Sequence, residues 1–98
     1  MNVRIHESAK QEIDDGFHWY ESQIEGLGLK FKEEVYLAIK RIQANPVLYS
    51  ALNKNLRRCL LVKFPYKVVY SVQDSEIYIL AVAHQRRRPN YWSKRKIL

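Results

Sequence analysis

Apolar residues in the first half of the chain recur every three or four positions, whereas in the second half they gather into short blocks of β-branched and aromatic residues. The two halves therefore read as helices followed by strands. Asn2 to His6 alternates as a short strand. Ser8, followed three residues later by Gln11, has the spacing of a capping box and predicts a helix beginning there. Ala9, Ile13, Phe17, Tyr20 and Ile24 fall on one face of that helix, leaving Glu12, Asp15 and Glu21 to look outward. Gly16 costs such a helix up to about 1 kcal/mol against alanine, which is tolerable where a neighbouring element packs closely.

Gly26-Leu27-Gly28 breaks the first helix, and Phe31, Val35, Ala38, Ile39 and Ile42 mark a second, which Asn45-Pro46 ends. The tight break makes the pair a helical hairpin. After an irregular stretch from Val47 to Asn55, strand patterns cover Arg57 to Phe64, Tyr66 to Val72 and Ile77 to His84. Their connections are short enough for hairpins only, so the three strands form an antiparallel meander. The predicted fold class is α+β, ordered β-α-α-β-β-β: an N-terminal strand at the sheet edge, a helical hairpin, then the meander, with one sheet face covering the helices. The chain has 98 residues, no internal repeat and no linker, so residues 1–98 are expected to form one domain.

Charge is distributed unevenly along this order. Residues 1–53 hold six Lys/Arg against eight Asp/Glu, and residues 54–98 hold eleven against two. The strand-bearing half thus carries a positive field suited to a polyanion or an acidic partner protein. The single cysteine, Cys59, supplies neither an internal disulfide nor a zinc site, so no metal or other cofactor is expected. Met1 to Glu7 lacks the apolar run of a signal peptide and no stretch suits a membrane helix, so the expected location is the cytoplasm, without membrane association.

The densest chemistry follows the last strand, in His84-Gln85-Arg86-Arg87-Arg88-Pro89-Asn90-Tyr91-Trp92. Three adjacent arginines repel one another without an anionic partner. Their guanidinium forks grip phosphate or carboxylate bidentately, and aromatic rings stack on bases. Arg86, Arg87, Arg88, Tyr91 and Trp92 are accordingly the candidate target-binding residues. Tyr91 and Trp92 equally suit a role as core residues capping the sheet, with Pro89 fixing the turn. His84, at a strand end, is either a packed or surface histidine or a general base.

The run Arg57-Arg58-Cys59-Leu60-Leu61-Val62-Lys63-Phe64-Pro65-Tyr66-Lys67-Val68-Val69-Tyr70, then Ile79 to Arg87 and Pro89-Asn90-Tyr91-Trp92, resembles the ParE-like branch of the RelE/ParE toxins, the plasmid-stabilisation toxins of type II toxin-antitoxin systems. The motifs are RR-x-L-L-x-x-FPY and H-x-RR-x-P-x-YW, and the β-α-α-β-β-β order agrees with that family's fold. The resemblance implies a growth-inhibiting toxin neutralised by a cognate antitoxin. Two targets occur in the superfamily. ParE-like members inhibit DNA gyrase without catalysis, and the histidine-arginine-proline-tryptophan ending resembles this branch. RelE-like members cleave messenger RNA in the ribosome, where closely placed cations stabilise a pentacoordinate phosphate.

For the RelE-like chemistry the resemblance nominates Arg58, Lys67, Arg86 and Tyr91 as catalytic candidates, with Leu60 standing where a second lysine is expected. A third reading, motivated by charge alone, is a non-toxic nucleic-acid-binding module. Trp19 and Tyr36 on the helical hairpin are candidates for the antitoxin surface if they lie off the core face, and both otherwise read as partly buried surface aromatics. An acidic antitoxin segment would also neutralise Arg86 to Arg88.

Overall fold

The switch in periodicity becomes a two-layer structure: β1 (Asn2–Ile5), α1 (Glu7–Gln23), α2 (Leu27–Ala44), β2 (Arg57–Leu60), β3 (Tyr66–Gln73) and β4 (Glu76–His84). The structure, a computed structural model, describes residues 1–96; Ile97 and Leu98, the last two positions of the expected domain, lie outside them. The order is the expected β-α-α-β-β-β of an α+β fold. The sheet runs β1-β4-β3-β2, with β2, β3 and β4 as an antiparallel meander. β1 lies at the edge and pairs in parallel with β4, from Asn2 opposite Glu76 to Ile5 opposite Ile79. Val69 faces Ala81 while Tyr70 faces Ile79, so Leu80 is the extra residue of a bulge. Beyond Ile79, therefore, β4 bends and leaves the end of β1 behind.

Burial explains why β4 reads as an almost continuous apolar run. On one face Phe31, Val35, Ala38 and Ile42 of α2 pack with Val68, Tyr70, Ile77, Ile79 and Val82. On the other, Val69, Leu80, Ala81 and Ala83 form a second core with Leu56 and Trp92, to which Leu52 and Tyr91 add partly buried surface. A strand covered on both sides loses the alternation of a half-exposed one. Removing these side chains from water is the main driving force for both layers.

The helices meet unusually closely. A Cβ at Gly16 would stand 2.5 Å from the Phe31 ring, and one at Gly28 would stand 2.5 Å from the Phe17 carbonyl oxygen. Gly16 is thus the weak point the sequence suggested, compensated by the neighbouring helix. Gly26 turns the chain with φ +86°, a conformation that glycine adopts without strain. Glu21 closes the turn: its carboxylate accepts from the Gly26 and Gly28 amides at 2.8 and 2.9 Å, satisfying donors at the positive end of α2.

Several expectations are corrected here. The cap of α1 is His6, whose Nδ1 accepts from the Ser8 amide at 3.0 Å, because only one residue separates β1 from α1. Gln11 binds Asp15 instead of completing a capping box. Ile24 lies past the end of α1 and is exposed. Glu12 and Glu21, expected to face solvent, both make specific contacts. β2 stops at Leu60 and does not reach Phe64, since the Glu34 carboxylate accepts from the Val62 and Lys63 amides in place of a strand.

Tyr70 ties the irregular segment to the core, donating from its hydroxyl to the Pro46 carbonyl at 2.6 Å. Burial pushes its phenol up from 10.0 to about 12, against the opposing influence of Arg57. A raised pKa means that folding favours the neutral phenol. Its stabilising contribution is complete below the ordinary value of 10.0 and is lost as pH rises through about 12. Melting temperature should accordingly fall across that window, with phenolate absorbance of the native protein lagging behind that of free tyrosine. Full ionisation of every tyrosine at the ordinary value, without unfolding, would contradict this.

Candidate cationic surface at the sheet and its C-terminal tail

The register brings most of the candidate residues to one end of the sheet. Lys67 of β3 sits between Leu60 of β2 and Ala83 of β4, and Arg58 sits across from Val69. Lys67 and Val69 are two apart and share the face turned away from the helices, where Val69 packs against Trp92. The Lys67 ammonium lies 5.1 Å over the Trp92 ring, a cation–π contact. Burial, and then the charge of Arg58, push the Lys67 pKa down. Two cations held this close across neighbouring strands favour an anion between or above them.

The turn after β4 begins at His84, whose ring packs edge-on against Tyr66 at 5.1 Å and whose Nδ1 accepts from the Arg86 amide at 3.0 Å. That nitrogen is engaged in shaping the turn. Arg86 and Arg88 are exposed and take part in no ion pair among the described residues. Arg87 behaves differently. Its guanidinium stacks 3.7 Å from the centre of the Tyr91 ring and reaches Glu12 at 3.4 Å.

Glu12 is the centre of this region. Its Oε1 accepts from the Val82 amide and from Arg95 Nη1, each at 2.9 Å. Its Oε2 accepts from Arg95 Nη2 at 2.9 Å and from the Tyr91 hydroxyl in a short hydrogen bond. Arg95 also donates to the Leu80 carbonyl at 3.0 Å. Val82 N–H and Leu80 C=O belong to the stretch of β4 that β1 does not cover, and two side chains complete it in place of a strand. Burial, then the bond to Glu12, hold the Tyr91 phenol well above the ordinary tyrosine value. Glu12 in turn raises the already high pKa of Arg95. Tyr91, with a guanidinium against its ring and a carboxylate on its hydroxyl, is locked as a neutral donor.

The sequence-derived candidates thus separate by environment. Arg58, Lys67, Arg86 and Arg88 present charge near one end of the sheet. Arg87 and Tyr91 are tied to Glu12. Trp92 is 2% exposed and fills the second core, so its ring has no free face for stacking. Trp19 and Tyr36 are 62% and 57% exposed, both off the core face. They line different grooves: Trp19 lies beside Tyr66, His84 and Arg87, and Tyr36 lies between the outer faces of α1 and α2, against Lys32 and Ile39. Arg95 was not among the residues singled out from the sequence, and Glu12 was expected only to look outward. Ala9, Glu12 and Gly16 are spaced three and four apart, so Glu12 shares the buried face of its two small neighbours, and that spacing was the available signal.

Among the described residues no group of His, Cys, Asp and Glu is arranged to hold a metal, and no helix is long and apolar enough to cross a membrane. No curated protein matches the chain. Among solved structures it is similar to one described as the chromosomal ParDE TA system from P. aeruginosa, with a TM-score of 0.73 and 21% identity, covering 86% of this chain and 95% of that one. That likeness is one of fold. The profile of the family described as the ParE toxin of type II toxin-antitoxin systems, parDE, matches residues 3–89, from β1 through the turn after β4. This match takes in nearly the whole fold, and by it the chain belongs to the ParE toxin family.

Proposed function

We propose that this toxin acts in the cytoplasm by binding DNA gyrase, without catalysis of its own, and that a cognate antitoxin neutralises it. The observation that carries the choice of target is the state of Tyr91. Ribosome-dependent RNA cleavage would draw on a tyrosine free to exchange protons, together with Arg58, Lys67 and Arg86. Here the hydroxyl is given to Glu12 and its pKa is pushed up, which makes it a poor base. Leu60, half exposed beside Lys67, adds no further cation to that strand pair. A binding surface needs neither feature. The decisive experiment incubates purified protein with gyrase and supercoiled DNA and, separately, with translating ribosomes. Gyrase inhibition with intact transcripts is expected; codon-specific transcript cleavage would overturn the target assignment in favour of the nuclease.

Arg86 and Arg88 are the exposed charges that a target or an acidic antitoxin segment would meet first. The double substitution Arg86→Ala/Arg88→Ala should lower toxicity roughly ten-fold or more, since charged interface contacts each contribute on the order of 1 kcal/mol or above. Unfolding free energy should change by only about 0.5 kcal/mol or less, as for other exposed positions. Charge reversal at the same two sites should weaken antitoxin binding and flatten its salt dependence. Unaltered growth arrest on expression would remove these arginines from the working surface. Trp19 and Tyr36 lie in separate grooves, so substituting each alone tests which groove the antitoxin occupies.

A further inference from the structure

Where α1 passes over the end of the sheet, Gly16, Trp19, Tyr66, His84 and Arg87 line a groove of about 240 Å³. Gly16 and Trp19 are three apart and share the face of α1 that carries Glu12. Tyr66 and His84 stand opposite each other in the ladder, on the side of the sheet that Val68 and Val82 turn toward the helices. Both layers therefore frame the groove, and a side chain inserted there would meet aromatic rings from each. Trp19 is 62% exposed, against 2% for Trp92. Tryptophan is on average highly buried, and an indole left open beside arginines has the composition of an interface.

Volume and charge narrow the occupant. Small-ligand sites usually span about 300–1,000 Å³, and this groove falls below that range, with room for one inserted side chain. The carboxylates beside it are already engaged: Glu12 by Val82, Tyr91 and Arg95, and Asp15 by Gln11 Nε2 at 2.9 Å. The arginines are in surplus. Arg87 stacks on the Tyr91 ring yet keeps 54% side-chain exposure, so its guanidinium is held in place while much of it stays in solvent. Arg86 and Arg88 flank it in the turn. A guanidinium already positioned loses less freedom on binding than a loose one, and tryptophan and arginine are enriched among the few residues that dominate an interface.

We propose that Trp19 and Arg87 anchor the toxin on its target protein. The groove takes one apolar or aromatic side chain from an acidic segment of that protein, and Arg87 takes a neighbouring carboxylate. The assignment rests on the reading that the target is gyrase, and it moves the aromatic contact from the buried Trp92 to Trp19. An antitoxin seated in the same groove would neutralise by direct competition. The test measures binding of the full-length wild type, Trp19→Ala, Arg87→Gln and Leu29→Ala to purified gyrase holding supercoiled DNA, and to the same DNA alone. Melting temperature and growth arrest on expression are recorded for each. Leu29, 64% exposed on α2 and outside the groove, is the control.

Trp19→Ala should weaken gyrase binding roughly thirty-fold or more and Arg87→Gln roughly ten-fold, whereas Leu29→Ala should change it by less than about two-fold. Trp19→Ala should melt with the wild type, as an exposed position allows. Gyrase affinity untouched by Trp19→Ala, a loss matched by Leu29→Ala, or a loss accompanied by a lower melting temperature would overturn the proposal. So would an equal loss on DNA alone, which would make the surface one for nucleic acid. Should the wild type fail to bind gyrase, the choice of target falls and growth arrest decides the groove. Arrest relieved by Trp19→Ala at equal protein level keeps the groove as the target surface, and undiminished arrest overturns it.

Discussion

Glu12→Ala is expected to cost about 3–5 kcal/mol of unfolding free energy, the range for removing one partner of a buried ion pair, and to lower the melting temperature by about 12 °C or more for a domain of this size. The carboxylate and its partner Arg95 retain side-chain exposures of only 10% and 16%, so solvent cannot take over the role. With Glu12 gone, Arg95 is left as a poorly compensated charge, and the Val82 amide and the Tyr91 hydroxyl both lose their acceptor. Glu12→Gln should fall between the two, keeping an acceptor for Val82 but losing the charge that holds Arg95. Thermal and denaturant unfolding followed by circular dichroism provides the measurement. A cost below about 1 kcal/mol, as for an exposed pair, would show that the tail is not held through this residue.

The second large effect reverses a general rule. Glycine to alanine inside a helix ordinarily gains up to about 1 kcal/mol. Gly28→Ala should instead lose roughly 1–3 kcal/mol, the cost of overpacking a close contact. Its new methyl would meet the Phe17 backbone oxygen at 2.5 Å, the Phe17 ring at 2.7 Å and the Glu21 carboxylate at 2.9 Å. The carboxylate can swing away, but it would then abandon the amides it caps, and the backbone oxygen can move only by separating the helices. A variant as stable as the parent would mean that the hairpin is looser than described.

The helical hairpin was legible because α2 obeys its periodicity closely: Phe31, Val35, Ala38 and Ile42 are all buried, as their spacing requires. The meander was legible for the same kind of reason, with short turns between β-branched runs. Glu12 was not. Periodicity assigns a charged residue to the outside, and only an amide on β4, seventy positions away, reverses that. The one local mark of such a bond is the spacing of Glu12 from the small residues Ala9 and Gly16. The tail was half legible: its arginines and aromatics stood out by composition, yet nothing in their order separates Arg87, held by Glu12, from the exposed Arg86 and Arg88 beside it. Trp92 had two readings from the sequence, and burial favours the core one. The early end of β2 was hidden because a single glutamate on α2 competes with the strand for two amides.

The pairing of β1 with β4 has a consequence in time. The first strand waits for residues 76–79, and Glu12 waits for Arg95, so both closing contacts span most of the chain. Contacts of such long range form late, and during synthesis they cannot form until residues 76–79 and Arg95, respectively, have cleared the ribosome. The helical hairpin, by contrast, is assembled from neighbours and is ready early. The nascent chain therefore spends most of its synthesis with a finished helical hairpin and an unfinished sheet.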